Sequence, residues 1–282
     1  MSTGFDPIQY KANTKTNWNT VAPDYHHNWA AQHIGPFKST RELVNLADIK
    51  PSDKVLDLGC GTGVISKEVS MHLNNGGLLV GIDLSRTALS IAKQSIQFPN
   101  SLFLEMDAEN IGLHFRFNKI LCQYVLMFCP DVRRVLDSAK DNLKDDGRLV
   151  LAVHGLDYEV PYFSSIMRSI IKYIPDIRPD GTPNVHRFGN PDDLKRILVE
   201  SGFSSIVIRK YVFTYEAGTF EEYWNDYMHS TANSIRPKIE KYGIEIMHKI
   251  KDESMRNVSK YIKNNNIVFP WTVLIATAAK HV

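Results

Sequence analysis

The stretch KVLDLGCGTG, residues 54–63, decides the fold of this chain. Its first half is a short apolar run, typical of a buried parallel strand, and glycines follow at positions 59, 61 and 63. Apolar residues resume at helical spacing from Val64, so the unit is a strand, a glycine turn and a helix. Bare backbone N–H groups at such a turn approach a ligand closely, and the helix adds its positive N-terminal end. The stretch therefore predicts an α/β protein that binds a nucleotide-like group.

Three kinds of nucleotide-binding turn compete for this stretch, and glycine spacing separates them. The dinucleotide fingerprint G-x-G-x-x-G, counted from Gly59, requires glycine where Val64 stands, and the G-K-[ST] triplet of a P-loop does not follow. The remaining pattern, D-x-G-x-G-x-G, resembles motif I of the class I S-adenosylmethionine (SAM) dependent methyltransferases. The resemblance implies that SAM is the cofactor. It assigns cofactor binding to Asp57, Gly59, Cys60, Gly61 and Gly63.

Acidic residues follow the next two predicted strands. Asp83 ends the second strand about 20 positions after the glycines, where α/β nucleotide sites accept hydrogen bonds from ribose hydroxyls. Leu84 follows it and is expected to offer an apolar face to the adenine. After the third strand, Asp107 and Ala108 resemble the family's D-A pair beside the adenine. That pair implies a carboxylate on the exocyclic amine and a backbone N–H on the ring.

A second match to the same family covers residues 117–153, which resemble its fourth strand, the following helix and its fifth strand. Asn118 and Asp146 replace the usual aspartate and glycine, both at predicted turns. Gln123 and Tyr124 stand at the carboxyl end of the fourth strand, where ligands of open α/β sheets bind. We expect Gln123 to contact the cofactor and Tyr124 to lie near the transferred methyl group.

The segment before the domain, residues 1–37, is polar and aromatic. Trp18, Ala22 and Tyr25 match W-x-x-x-A-x-x-Y, a form seen in small-molecule methyltransferases similar to the ubiquinone and menaquinone biosynthesis (UbiE/Coq5-like) group. That resemblance implies an N-terminal lid that folds over SAM, with Tyr25 on the cofactor. Trp18 and Trp29 are expected to pack this segment against the edge of the sheet.

We predict a methyltransferase domain over residues 38–282, with two elaborations. Periodicity fails after the fifth strand, where prolines interrupt the chain, and residues 155–190 are predicted to form a cap insertion over the ligand-bearing edge. Residues 218–263 add helices whose aromatic stripe is expected to be core, and the chain returns as a last strand at 267–279. The resemblance to the methyltransferases implies a Rossmann-like sheet of seven mostly parallel strands flanked by helices, with an antiparallel last strand.

The predicted acceptor site is aromatic. Its expected walls are Tyr124, Phe128, His154, Tyr158, Tyr162 and His186. Such walls favour a small apolar or aromatic molecule that is methylated on oxygen, nitrogen or carbon. Because the sulfonium methyl of SAM is already activated, a base is needed only for an acceptor that arrives protonated. His154 and His186 are the candidate bases, and Tyr124 completes the candidate catalytic set.

Two other functions compete with this prediction. A regulatory protein that binds SAM without transferring methyl would keep the glycine turn but lack an enclosed acceptor pocket. An NAD-dependent oxidoreductase is disfavoured by Val64.

Composition limits the partners and the compartment. Lys and Arg number 33 against 31 Asp and Glu, so nothing in the charge attracts nucleic acid in general. The three cysteines stand in apolar surroundings, which indicates a reducing compartment, and we expect a cytoplasmic protein without a membrane-spanning segment. Histidine and cysteine spacing predicts no metal site. We expect a monomer or a homodimer.

Overall fold

A computed structural model describes residues 4–280 of the chain, and its centre is one twisted sheet. The strands are β1 (Lys54–Leu58), β2 (Leu78–Asp83), β3 (Ser101–Glu105), β4 (Phe117–Gln123), β5 (Leu143–His154), β6 (Phe203–Glu216), β7 (Ile262–Lys263) and β8 (Asn266–Lys280). Their order is β3-β2-β1-β4-β5-β8-β6, and the two-residue β7 forms a hairpin with β8. All pairs from β3 to β5 are parallel, whereas β8 is antiparallel to both of its neighbours. The predicted architecture is therefore confirmed, with β7 as an addition.

Within the described part of the chain, ten α-helices flank the sheet or extend it. They are α1 (Pro7–Tyr25), α2 (Thr40–Ala47), α3 (Val64–Ser70), α4 (Arg86–Ser95), α5 (Val132–Asp141), α6 (Pro161–Tyr173), α7 (Pro191–Glu200), α8 (Phe220–His229), α9 (Arg236–Glu240) and α10 (Ile244–Val258). Polar caps mark several starts: Asn190 accepts a backbone N–H at α7, and Thr219 forms a capping box with Glu222 at α8. Between residues 4 and 280, none of the helices combines the length and apolar character needed to cross a bilayer.

Strand order reverses between β1 and β4, so the helices on the two sides diverge and open a crevice at the carboxyl ends of these strands. The strands that lead to this crevice are largely buried on both faces, as parallel strands covered by helices are. Side chains at the carboxyl ends of β1, β2 and β4 therefore converge on one region.

An aromatic cluster joins the N-terminal segment and the added helices to the last strand. Trp271 of β8 lies 5.9 Å from Trp29 and 5.6 Å from Tyr162, measured between ring centroids. Tyr223 of α8 lies 5.2 Å from Tyr162. All four side chains are buried, and such aromatic pairs each contribute about 0.5–1.5 kcal/mol beyond their area burial. Trp29 packs against the sheet, as predicted, and the stripe of α8 is core.

Candidate functional site

A cavity of about 940 Å³ lies at the crevice. Its walls come from helix α1, from the glycine turn after β1, and from the ends of β2 and β4. Two further segments complete it: residues from 177–185 in the loop after α6, and residues from 230–237, which run from the end of α8 into the start of α9. We call these two segments the loop wall, and residues 57–62 with 82–85 the turn wall.

The three glycines of the turn wall have backbone φ angles of +69°, +52° and +90° at Gly59, Gly61 and Gly63, which disfavour other residues. A Cβ on Gly59 would lie 2.3 Å from Val125 Cγ2, and one on Gly63 would lie 2.8 Å from Ile96 Cδ1. These two glycines are required by packing. A Cβ on Gly61 would meet nothing within 4 Å, and Gly61 lines the cavity. The room that Gly61 leaves is therefore room for a ligand.

Asp83 joins the end of β2 to the glycine turn. Its Oδ2 accepts the Gly61 N–H at 2.9 Å, and its Oδ1 accepts the Ser85 N–H at 2.8 Å. Burial raises the pKa of this carboxyl, against the effect of these backbone hydrogen bonds. Asp83 and Leu84 both line the cavity, where an acidic group and an apolar face adjoin. Their predicted roles toward ribose and adenine are compatible with this placement.

Asp57 lies at the base of the turn wall and is almost fully buried. Its Oδ2 accepts a hydrogen bond from Ser66 Oγ of α3 at 2.6 Å. Burial raises the pKa of Asp57 to about 7. The bond to Ser66 therefore ties β1 to α3 directly behind the turn.

This raised pKa gives a testable pH dependence. Between its ordinary pKa and about 7, Asp57 holds a proton in the folded protein that the unfolded chain releases, so its contribution to the free energy of unfolding falls as pH rises. Asp57→Asn removes the titration and keeps an oxygen for Ser66. We expect the stability of Asp57→Asn relative to wild type to increase between about pH 5 and about pH 8 in urea titrations without SAM. A constant difference across that range would contradict the assignment.

The Asp107–Ala108 pair also lines the cavity, beside α1. Asp107 Oδ1 accepts the Glu109 N–H at 2.9 Å, and Oδ2 accepts the ammonium of Lys11 at 2.7 Å. Farther along α1, Asn19 Oδ1 accepts the Ser85 hydroxyl at 2.9 Å. Helix α1 is thus held over the ends of β2 and β3, and its role as a lid over SAM stays a prediction.

Tyr25 and Trp18 bring the N-terminal aromatics into the cavity lining. Their ring centroids are 5.3 Å apart, and Trp18 lies 6.3 Å from Phe128 on the opposite wall. Trp18, which we expected only to pack the helix, therefore also forms part of the wall. Tyr25 lines the cavity too, and its contact with the cofactor stays a prediction.

At the end of β4, Gln123 and Tyr124 are anchored to the segment before α2. Gln123 Oε1 accepts the Thr40 hydroxyl at 3.0 Å. The Tyr124 hydroxyl lies 2.9 Å from the Pro36 carbonyl oxygen and 2.8 Å from Ser39 Oγ. Tyr124 has a φ of +59°, which turns the chain sharply there, and burial raises the pKa of its phenol. With its hydroxyl engaged by Pro36 and Ser39, Tyr124 is suited to shape the wall rather than to exchange a proton.

His154, at the end of β5, stacks on Tyr124 with ring centroids 4.3 Å apart and planes inclined by 13°. Its side chain is 3% exposed and lines the cavity. Its Nδ1 is buried and has no hydrogen-bond partner among the described residues. Burial holds the pKa of His154 well below its usual range, so the ring is neutral near pH 7.

Three residues expected in the acceptor wall do not line the cavity. Tyr158 is 64% exposed, and Tyr162 is buried with its hydroxyl donated to Asp226 Oδ2 at 2.6 Å. His186 lies behind Phe163, with Nδ1 donating to the Gly155 carbonyl oxygen at 2.9 Å. Helix α6 begins at Pro161, and this start turns Tyr162 into the aromatic cluster and Phe163 toward the cavity. Phe163 therefore stands where Tyr162 was predicted.

Segments that sequence reasoning did not assign to the site also contribute. Residues of 230–237 line the cavity, although we expected the added helices only to extend the core. Asn233 Nδ2 donates to Asn17 Oδ1 of α1 at 2.8 Å, so this segment also helps to hold α1 in place. The sequence signal that could have assigned residues 230–237 to the site was a run of polar residues between two apolar helical stripes. No group of three His, Cys, Asp or Glu side chains within residues 4–280 is arranged to hold a metal ion.

Comparison with known proteins decides the family. A family model described as a methyltransferase domain matches residues 49–201, which is more than half of the chain. This chain belongs to that methyltransferase family. The matched region runs from the strand before the glycine turn through α7, and so includes β1 to β5 and the cavity-lining residues at their ends.

Relatives of this methyltransferase are similar over part of their length. A ubiquinone biosynthesis O-methyltransferase of Glaesserella parasuis is 29% identical over 168 residues, which is 57% of this chain and 69% of the relative. A Coxiella burnetii enzyme with the same description is 26% identical over 152 residues, 52% of this chain and 62% of its own. The solved structure of YcgJ from Bacillus subtilis shares the fold, with a TM-score of 0.59 at 18% identity over 87% of this chain and 99% of that chain. The methyltransferase uses SAM as its cofactor, and the prediction from the glycine turn is confirmed.

Proposed function

We propose that this methyltransferase transfers the methyl group of SAM to a hydroxyl oxygen of a small, largely apolar or aromatic molecule. One observation carries the proposal: a single cavity of about 940 Å³ contains the glycine turn and continues past His154 to the loop wall. Its volume lies near the upper end of the roughly 300–1,000 Å³ typical of ligand sites, so it offers room for an acceptor beside the cofactor.

The turn wall supplies the cofactor part of the site. The sulfonium ion of SAM carries a positive charge, and Asp57 and Asp83 place carboxyl groups on this wall. Gly61 leaves open space beside Asp83, while Asp107 and Leu84 flank the expected position of the adenosine. We assign SAM to this wall because its oxygen acceptors match the hydroxyl and amine donors of adenosine.

Aromatic residues supply the acceptor part. Trp18, Tyr124, Phe128 and Phe163 line the cavity around His154. Such a wall binds a ring or an apolar chain and removes water from around the methyl group. Since the methyl is already activated in SAM, the main task of the protein is to hold the acceptor oxygen in line with the methyl and the sulfur.

His154 is suited to orient the acceptor hydroxyl. A buried N–H without a partner is rarer in proteins than a buried lone pair without one, which favours placing the ring proton on Nε2 and leaving Nδ1 bare. Nε2–H then donates to the acceptor oxygen. The O–CH₃ bond forms as the S–CH₃ bond breaks, and the hydroxyl proton, which points away from the ring, passes to solvent. We assign His154 the role of a positioning donor in the cavity, and His186 has no direct role toward the acceptor.

The relatives favour oxygen over nitrogen or carbon, because those named above are O-methyltransferases of ubiquinone biosynthesis. Helix α1 limits the acceptor to a small molecule, because hydrogen bonds of Lys11 and Asn19 hold the helix over the cavity. A polynucleotide does not fit beneath such a cover, and the nearly balanced charge offers it no general attraction. The room for an acceptor beside the turn wall also argues against a purely regulatory SAM-binding role.

Substitution of His154 tests this site. We expect His154→Ala to lower kcat/KM for the acceptor about 10- to 100-fold while the dissociation constant of SAM changes by less than about threefold. His154→Gln keeps an N–H donor and should restore part of the activity. His186→Ala is the matched control, because His186 lies outside the cavity lining, and it should retain transfer.

The measurement uses methyl-labelled SAM with hydroxyaryl and catechol acceptors, and calorimetry for SAM. Equal losses in His154→Ala and His186→Ala would remove the positioning role. Efficient methylation of tRNA or DNA by the pure protein, with no transfer to small hydroxylated molecules, would overturn the proposed function.

A further inference from the structure

Arg178 differs from the other cations of the cavity lining because it has no partner. The half-buried Arg178 belongs to the loop wall, and no hydrogen bond or ion pair joins its guanidinium to any residue from 4 to 280. Lys11 and Lys15, the other cationic residues of the described lining, form ion pairs with Asp107, Glu109 and Glu105. A half-buried guanidinium without an anion is left with donors to offer to a ligand.

Carboxylates are unevenly distributed around the cavity. Asp57, Asp83 and Asp107 lie at the ends of β1, β2 and β3, and Asp6 accepts the Ile8 and Gln9 N–H groups at the start of α1. Asp180, the one acidic residue within 177–185 and 230–237, is exposed and is not among the residues that line the cavity. No ion pair joins Arg178 to Asp180, Asp6 or any other acidic residue from 4 to 280, so its guanidinium is available to a ligand.

Two uncharged polar side chains of the cavity lining lie near Arg178. Thr182 of the loop wall lies near Arg178 in the chain, and Tyr10 of α1 lies near it in space. Both residues line the cavity. Burial raises the pKa of the Tyr10 phenol, and the positive charge of Arg178 acts in the opposite direction, which places the guanidinium within electrostatic reach of that ring. The Tyr10 phenol beside the arginine can donate to an anionic group, whereas the Thr182 hydroxyl donates to the Pro179 carbonyl oxygen at 2.6 Å.

We propose that Arg178 binds an oxyanion, a carboxylate or a phosphate, carried by the methyl acceptor. The planar guanidinium offers two parallel N–H donors that match such a group. The inference rests on the proposed function and refines its substrate class: the acceptor has an apolar or aromatic body that carries the hydroxyl, and an acidic substituent that reaches the loop wall. Arg178 then fixes which way the acceptor enters.

Paired probes test the inference without knowledge of the natural acceptor. The probes are hydroxyaryl carboxylates and hydroxyaryl phosphates with spacers of increasing length, each matched with its neutral amide or alcohol. Binding to the full chain loaded with S-adenosylhomocysteine is measured by calorimetry. We expect at least one anionic probe to bind about tenfold or more tightly than its neutral match, and Arg178→Gln to remove this preference. Carboxylate and phosphate series show which oxyanion is preferred.

Two controls separate the explanations. Arg178→Lys keeps the charge and should retain part of the preference, whereas Arg196→Gln on the exposed face of α7 should leave it intact. The dissociation constant of S-adenosylhomocysteine should stay within about twofold in Arg178→Gln. A loss of that affinity would assign the guanidinium to the cofactor and overturn the inference.

The inference is also overturned if no anionic probe binds better than its neutral match, or if Arg178→Gln keeps the preference. Its failure is distinct from failure of the proposed function. Anion-dependent binding through Arg178 without methyl transfer to any probe would count against the proposed methylation alone, and transfer to neutral probes with no anion preference would count against Arg178 alone.

Discussion

Gly61→Val is expected to abolish SAM binding while the fold survives. A Cβ at Gly61 meets nothing within 4 Å, so the side chain would be tolerated by the protein itself. The two methyl groups of valine would project into the cavity beside Asp83, whose Oδ2 accepts the Gly61 N–H. The valine side chain would occupy space that SAM needs, so SAM could not bind against the turn. We expect affinity to fall by about 100-fold or more, measured by calorimetry.

The positive φ of Gly61 requires a control, because any side chain there also strains the backbone. Gly243→Val is matched to it: Gly243 has a φ of +86°, a Cβ there also meets nothing within 4 Å, and the residue lies outside the cavity lining. This variant should lose about 1–2 kcal/mol of stability, as a strained non-glycine residue does, and keep its affinity for SAM. If Gly61→Val still binds SAM, or if both variants lose the same affinity for SAM, the glycine turn is not the cofactor site.

Backbone chemistry explains why the turn could be predicted from the sequence. Gly59 and Gly63 have positive φ angles and no room for a side chain, and Asp83 follows directly from the end of a parallel strand. Those requirements are local, because a glycine turn and a strand end each involve a few consecutive residues. The positions of Asp57, Asp83 and Gln123 at strand ends were therefore predictable from the sequence, whereas the mostly parallel sheet with an antiparallel last strand was implied by the family resemblance.

The acceptor wall was harder to predict because it depends on how helices are rotated against the sheet. Tyr162 and Phe163 are neighbours in an aromatic run, and composition does not show which of them faces the cavity. Two features determine which ring faces the cavity: the start of α6 at Pro161, and the hydrogen bond from Tyr162 to Asp226 of α8. Asp226 is 64 residues from Tyr162 in the chain. The contribution of 230–237 depends likewise on its contact with Asn17 of α1. Long-range contacts of this kind leave no periodic signal.

Asp83→Ala is expected to weaken SAM binding by about 1.5–3 kcal/mol, through the loss of charge-assisted hydrogen bonds to the ribose hydroxyls. The structure adds a second contribution: Asp83 accepts the N–H groups of Gly61 and Ser85, so its removal also frees the glycine turn. Asp83→Asn separates the two, because it keeps an oxygen for Gly61 but loses the charge, and it should bind SAM with intermediate affinity. Calorimetry at neutral pH gives the three dissociation constants. An unchanged dissociation constant in Asp83→Ala would place the ribose elsewhere.

The pH dependence of SAM binding tests the charge of Asp83. Burial raises the pKa of Asp83, so the difference in SAM affinity between wild type and Asp83→Asn should narrow as the pH falls and the wild-type carboxyl takes up a proton. A difference in affinity that stays constant at low pH would show that the charge of Asp83 does not bind the ribose.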